Sequence, residues 1–80
     1  MGEPIAVGKS PSDVAVGEGS VWVANAGDDT VTRIDASSGE VVGEPIAVGD
    51  SPSDVAVGEG SVWVANSGDD TVTRIDLSGT

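Results

Sequence analysis

The chain of 80 residues is long enough for one small domain, and its lack of cysteine and histidine excludes disulfide bonds, zinc fingers, thiol chemistry and imidazole acid–base catalysis. The formal net charge of −11 excludes nucleic acid and anionic membrane surfaces as partners, because like charges repel. Apolar residues make up 38% of the chain and two tryptophans are its only aromatic residues; so thin a core usually needs support from metals, disulfides or oligomerisation.

The first half of the chain alternates between predicted strands and predicted turns. The predicted strands are residues 13–17, 20–25, 30–35 and 40–48. Glu18 and Gly19 form a two-residue hairpin turn of the glycine-containing type. The second strand is apolar on consecutive residues, which predicts burial on both faces. Pro45 cannot donate a ladder hydrogen bond, so the fourth strand is predicted to be an outer edge with a break or bulge. No window shows a helical period, and helix content is predicted to be close to nil.

This strand pattern occurs twice. Of 39 residue pairs separated by 41 positions, 33 are identical, and the differing pairs are Met1/Val42, Lys9/Asp50, Ala26/Ser67, Ala36/Leu77, Ser38/Gly79 and Gly39/Thr80. Such close identity indicates a recent duplication or an engineered sequence, and the opening Met1-Gly2 and the stop at Thr80 favour an engineered origin. No leader peptide or apolar run of membrane-spanning length is visible, so we expect a soluble, recombinant cytoplasmic product.

Short antiparallel strands joined by hairpins and repeated at this period are typical of β-propeller blades. We therefore predict an all-β fold, with residues 1–80 forming a two-blade propeller fragment of four-stranded antiparallel blades. The first repeat is residues 3–43 and the second is residues 44–80. A parallel β-solenoid and an isolated β-sandwich are the alternatives, although solenoid rungs are shorter and lack the hairpin turns.

The ends of the repeats predict how copies of the chain assemble. Residues 3–8 match the end of a fourth strand, whereas the second repeat stops after its third strand, residues 71–76. Two blades cannot close a ring, because propellers typically have about 4–8 blades. We therefore expect residues 3–8 to complete the last blade of a neighbouring copy in a head-to-tail ring. A tetramer with eight blades is the first choice and a trimer with six blades the second.

Two sequence motifs resemble the blades of a known group of propellers. Residues 10–17 read Ser-Pro-Ser-Asp-Val-Ala-Val-Gly, and residues 19–35 read Gly-Ser-Val-Trp-Val-Ala-Asn-x-Gly-Asp-Asp-Thr-Val-Thr-Arg-Ile-Asp. They resemble bacterial YVTN-type, streptogramin-lyase-like and NHL-type blades, as well as symmetric designed propellers. The resemblance implies the fold and not an activity, since these blades serve many functions. Streptogramin lyases use a histidine general base, and no position of this chain provides one.

Two sets of residues are candidate binding sites. Trp22 and Trp63 have the largest side chains and are natural anchors for a ligand, but their apolar neighbours favour packing between adjacent blades. Residues 25–29 and 66–70 carry the carboxylate and amide oxygens that Ca²⁺ or Mg²⁺ prefers. Their spacing is not that of an EF-hand, and Asp and Asn side chains commonly close turns by bonding to their own backbone.

Two further pairs of charged residues recur in the repeats. Asp13 and Asp54 open the innermost strand of each blade, where symmetry gathers them near the central axis. They form either a ring of carboxylates around an ion or a cap on the preceding loop. Arg33 and Arg74 each precede an aspartate by two residues, which favours an ion pair across strands or blades over an anion site.

These observations predict a self-assembling structural propeller fragment that is not an enzyme. We expect no catalytic residue, no metal site and no cofactor, and a second copy of the same chain as the partner. The alternative is a ligand-binding fragment of a YVTN or streptogramin-lyase-like propeller. Binding propellers vary their loops from blade to blade, whereas residues 10–13 and 51–54 of this chain are identical.

Overall fold

A computed structural model of the protein describes residue 5 and residues 7–76. The strands are β1 Pro11–Gly17, β2 Ser20–Asn25, β3 Thr30–Asp35, β4 Ile46–Ala47, β5 Pro52–Gly58, β6 Ser61–Asn66 and β7 Thr71–Asp76. None of the described residues lies in a helix, and so none belongs to a helix that is long and apolar enough to cross a membrane. The predicted all-β class is confirmed.

The strands form two antiparallel sheets in which each strand pairs with its neighbour in the sequence. The first sheet has the order β1-β2-β3-β4, and the second has the order β5-β6-β7. Equivalent residues pair in the same register, so that Trp22 lies opposite Ala15 and Arg33, and Trp63 lies opposite Ala56 and Arg74. The near-identical repeats therefore fold as near-identical sheets.

Backbone geometry explains the tight connection between the first two strands of each sheet. Glu18 and Gly19 both have positive φ, at 53° and 74°, as do Glu59 and Gly60. Positive φ at both central residues defines a type I′ turn, whose twist matches that of the flanking strands. The predicted two-residue hairpin is confirmed in both sheets.

A bulge changes the start of each first strand. Pro11 pairs with Asn25 and Asp13 pairs with Ala24, which leaves Ser12 as an extra residue, and the same irregularity occurs between Pro52 and Asp54. An extra residue redirects the side chains on either side of it. Two consecutive polar side chains, Ser12 and Asp13, can thus reach out of the first sheet toward the second.

The outer strand is shorter than the sequence predicts. Residues 40–48 were predicted to form one outer strand with a break or bulge at Pro45, and the break is confirmed. Only Ile46 and Ala47 pair with β3, and an isolated bridge joins Ile34 and Val41. Gly43 with φ of 68° and the following Pro45 separate the two pieces, because proline removes a ladder donor.

The second sheet has three strands, as predicted for a chain whose second repeat stops after its third strand. Its fourth strand was expected to come from residues 3–8 of another copy. Of these, residues 3, 4 and 6 lie outside the described part of the chain, and the described residues 5, 7 and 8 are not in a strand.

The two sheets pack face to face, with β1 and β2 against β5. Their shared core consists of three side chains from each sheet: Trp22, Ala24 and Val31 from the first, and Val55, Val62 and Val64 from the second. Trp22 and Val62 are completely buried. The core therefore lies between the sheets, which leaves the outer face of each sheet as the remaining surface.

Candidate functional site: two uncovered sheet faces

Each sheet has two different apolar faces, because side chains alternate along a strand. We call the face formed by Trp22, Ala24 and Val31, or by Trp63, Ala65 and Val72 in the second sheet, the tryptophan face. The opposite face, formed by Val14, Val16, Val21 and Val23 or by Val55, Val57, Val62 and Val64, is the valine face. The core is the tryptophan face of the first sheet packed against the valine face of the second.

The other two faces are covered only in part, although their sequences are the same, and Val23 is the buried member of the valine face of the first sheet. Trp63 is 40% exposed where Trp22 is 0% exposed, and Val72 is 64% exposed where Val31 is 0% exposed. On the valine face of the first sheet, Val14 is 56% exposed where its counterpart Val55 is only 8% exposed. Large apolar side chains in a contiguous exposed patch mark an interaction surface.

The uncovered tryptophan face is concave. A recess of about 320 Å³ is lined by Asp54, Val55, Ala56, Trp63, Ala65 and Val72. The same surface on the first sheet is filled by valine side chains of the second sheet. The recess therefore lies on the face of the second sheet that is equivalent to the covered tryptophan face of the first sheet.

Polar contacts accompany the apolar contact between the sheets. The Ser12 hydroxyl donates to the Pro52 carbonyl at 2.8 Å, and the Val55 amide donates to the Asp13 carboxylate at 3.0 Å. Farther out, the Ser51 amide donates to the Asp29 carboxylate at 2.8 Å. Sequence reasoning missed the role of Ser12, because the bulge that directs it toward the second sheet gives no signal in the sequence.

The structure brings Asp13 and Asp54 together. The hydrogen bond from the Val55 amide, followed by the contact with Asp54, lowers the pKa of Asp13. The hydrogen bond with Asp13 and then its negative charge raise the pKa of Asp54. Two neighbouring carboxylates repel each other, so the ionised form of one raises the pKa of the other. Within residue 5 and residues 7–76, no group of three or more acidic side chains is arranged to hold a metal ion.

The aspartates of residues 25–29 and 66–70 bond to a neighbouring segment. Asp28 accepts a hydrogen bond from the Lys9 amide at 3.1 Å, and its counterpart Asp69 accepts one from the Asp50 amide at 3.0 Å. These carboxylates fasten the segment that enters the first strand of each sheet, a role beyond closing their own turn.

Asn25 has a different environment from these aspartates because its side chain is buried. Its Nδ2 donates to the Thr30 and Thr32 hydroxyls, and Asn66 bonds to Thr71 and Thr73 in the same way. These amides tie the second and third strands of each sheet together at one end.

Both arginines lie over tryptophan rings. The Arg33 guanidinium is 5.0 Å from the centre of the Trp22 ring, and Arg74 is 5.6 Å from that of Trp63. The Arg33 Nε donates to the Ser20 hydroxyl at 2.9 Å. Hydrogen bonds from the hydroxyl and amide of Ser37 and from the amide of Ser38 lower the pKa of Asp35, and the Arg33 charge lowers it less than they do. Cation–π stacking is thus a role of the arginines that the predicted ion pair did not include.

Comparison with known proteins adds no family assignment. No protein-family model matches the chain, and no curated protein is significantly similar to it. The two uncovered faces and the contacts between the sheets are therefore the features of the molecule that bear on its function.

Proposed function

We propose that the protein is a self-assembling structural fragment of a β-propeller, of engineered origin and without catalytic activity. Each chain contributes two blades of the YVTN or streptogramin-lyase-like type, and copies associate head to tail around a common axis. A tetramer with eight blades is favoured over a trimer with six. The single observation that carries the proposal is the unequal exposure of identical residues in the two repeats.

The exposed surfaces match each other because each has a covered counterpart. The uncovered tryptophan face, with Trp63 and Val72, has the sequence of the face that the second sheet covers. The uncovered valine face, with Val14 and Val16, has the sequence of the face that does the covering. A second copy can therefore place its Val14 and Val16 against Trp63 and Val72 of the first by repeating an existing contact. Burial of large apolar side chains supplies the driving force.

The contact joins two different surfaces and is therefore heterologous. A heterologous contact repeats from copy to copy, and it generates a ring when the rotation closes. If the rotation between the last sheet of one copy and the first sheet of the next equals the rotation between the two sheets of one chain, all neighbouring sheets are equivalent. This equivalence supports a closed propeller built from several copies.

An open strand edge supports the same arrangement. β3 pairs with β4 through Thr30 and Val31, whereas the outer edge of β7 has no paired strand among the described residues. An unpaired edge favours the addition of a strand. By repeat equivalence, Thr71 and Val72 would pair with residues 5 and 6 of the next copy.

The mass of the purified chain in solution tests the proposal. Native mass spectrometry and light scattering are expected to give one species, at four or three times the subunit mass of 7.8 kDa. A folded monomer across the accessible concentration range overturns the proposal. A broad ladder of sizes would show an open filament and would overturn the ring.

Two complementary variants test the direction of the contact. Val16→Glu blocks the valine face, Val72→Glu blocks the tryptophan face, and each variant alone is expected to be monomeric because a carboxylate is costly to bury without a partner. An equal mixture is expected to form heterodimers and nothing larger. Ser38→Glu adds the same charge to an exposed turn and is expected to assemble normally. Unchanged assembly of either blocked variant contradicts the proposed contact.

A further inference from the structure

Two of the polar bonds between the sheets of one chain come from Ser12 and Asp13, and the repeat assigns each of these two bonds a counterpart. The Ser12 hydroxyl binds the Pro52 carbonyl, and the Asp13 carboxylate accepts the Val55 amide. In the second repeat, the residues equivalent to Ser12 and Asp13 are Ser53 and Asp54. If a second copy follows the first as the second sheet follows the first sheet, the groups equivalent to Pro52 and Val55 are Pro11 and Val14 of that second copy.

Ser53 and Asp54 are placed to make these bonds. Both residues are exposed, and Asp54 lines the recess on the uncovered tryptophan face. Ser53 donates to the Ala65 carbonyl of its own sheet at 3.4 Å, as Ser12 does to Ala24 at 3.3 Å. Ser12 has in addition the short bond to the second sheet, for which Ser53 has no counterpart within the described residues.

The partner groups are also on an uncovered surface. Pro11 is exposed where its counterpart Pro52 is buried, and Val14 is exposed where Val55 is buried. In the single chain the Val14 amide faces the carboxylate of the adjacent residue, Asp13. In the assembly, the Val14 amide would donate to the Asp54 carboxylate of a second copy, just as the Val55 amide donates to the Asp13 carboxylate.

We infer that Ser53 and Asp54 form a polar clasp with Pro11 and Val14 of the neighbouring copy and that this clasp sets the register between subunits. The inference rests on the proposed function and deepens it by naming the bonds at the contact. Apolar burial is not directional, so the apolar contact between the tryptophan face and the valine face does not by itself fix one docking position. A charge-assisted hydrogen bond to a backbone amide has a preferred geometry and therefore fixes one docking position.

The repeat provides a matched control for the experiment. Asp54→Ala removes the acceptor between copies, together with the contact between Asp54 and Asp13 of its own chain. Asp13→Ala removes the equivalent acceptor between the sheets of one chain and the same contact, so the two variants differ in which backbone amide loses its acceptor. Asp54→Ala is expected to raise the dissociation constant of each subunit contact by roughly 10- to 100-fold, the usual effect of losing a hydrogen bond to a charged group. Asp13→Ala is expected to lower the unfolding midpoint of the dissociated subunit instead.

Sedimentation velocity over a dilution series measures the first effect, and thermal denaturation of dilute protein measures the second. Glu59→Ala removes an equal charge from an exposed turn and separates the loss of a bond from the relief of repulsion. It is expected not to weaken assembly. Ser53→Ala is a second variant that leaves the charge unchanged, and it is expected to weaken the contact by a smaller factor.

The outcomes separate the two proposals. A wild-type chain that stays monomeric overturns the proposed function itself. A wild-type ring whose dissociation is unchanged by both Asp54→Ala and Ser53→Ala leaves the proposed function standing and overturns the clasp. Weaker association of both variants, with normal folding of the dissociated subunit, supports the clasp.

Discussion

Two equivalent glycines provide a selective test of the contact between copies. A Cβ atom added at Gly17 would lie 2.6 Å from Val57 Cγ1 and 2.9 Å from Val57 Cβ. A Cβ atom added at Gly58 would meet nothing within 4 Å. Under the proposed assembly, the counterpart of Val57 at Gly58 is Val16 of the next copy. Gly58→Ala is therefore expected to leave the dissociated subunit folded and to obstruct its association.

The size of the effect follows from the overlap. Carbon atoms in contact prefer a separation of about 3.5–4.0 Å, so the added methyl group must displace its neighbour by about 1 Å. Overpacking of this kind costs about 1–3 kcal/mol, which corresponds to roughly 5- to 150-fold in the dissociation constant of each contact.

The assay compares Gly58→Ala with Gly17→Ala. Light scattering across a dilution series reports association, and urea denaturation of the dissociated subunit reports stability. Gly17→Ala is expected to lower the free energy of unfolding by the same amount that Gly58→Ala removes from association. Wild-type association of Gly58→Ala, with Gly17→Ala destabilised as expected, would refute the reasoning that both glycines face equivalent neighbours.

Three further predictions follow from single side chains. Trp63 emission, recorded in a Trp22→Phe variant, is expected to shift to shorter wavelength as assembly buries the 40% of Trp63 that is exposed; a spectrum independent of concentration contradicts this. Glu18→Asn is expected to raise the free energy of unfolding by about 1 kcal/mol in thermal denaturation, because asparagine tolerates the positive φ of a type I′ turn better than glutamate does; a lower melting temperature opposes it. Ser37→Ala is expected to raise the pKa of Asp35 toward 3.8 in an NMR titration, since the Ser37 hydroxyl is the main cause of its lowering. A lowered native pKa stabilises the fold above pH 3.8, and this contribution is lost as the pH falls through the native pKa, so the variant is expected to be less acid-sensitive than the wild type.

Local chemistry made the strands predictable from the sequence. The β-branched residues of β2 and β3, the glycine at each hairpin and the absence of a helical period indicated an all-β fold with tight turns. Pro45 indicated a break in the outer strand, although the sequence did not show that only Ile46 and Ala47 would pair with β3. These features depend on a few neighbouring residues, whose conformational preferences the sequence contains.

Burial and contacts between sheets depended on the tertiary structure instead. Trp22 and Trp63 lie in the same local sequence, yet only Trp22 is covered, because only the first sheet has a second sheet against its tryptophan face. The contacts of Ser12 and Asp13 likewise required the bulge in β1 and the position of β5. The sequence by itself determined the strands and turns of each repeat and the presence of two repeats. Only the packing of one unit on the other decided which identical surfaces are buried and which are left open, since exposure depends on neighbours that are distant in the sequence.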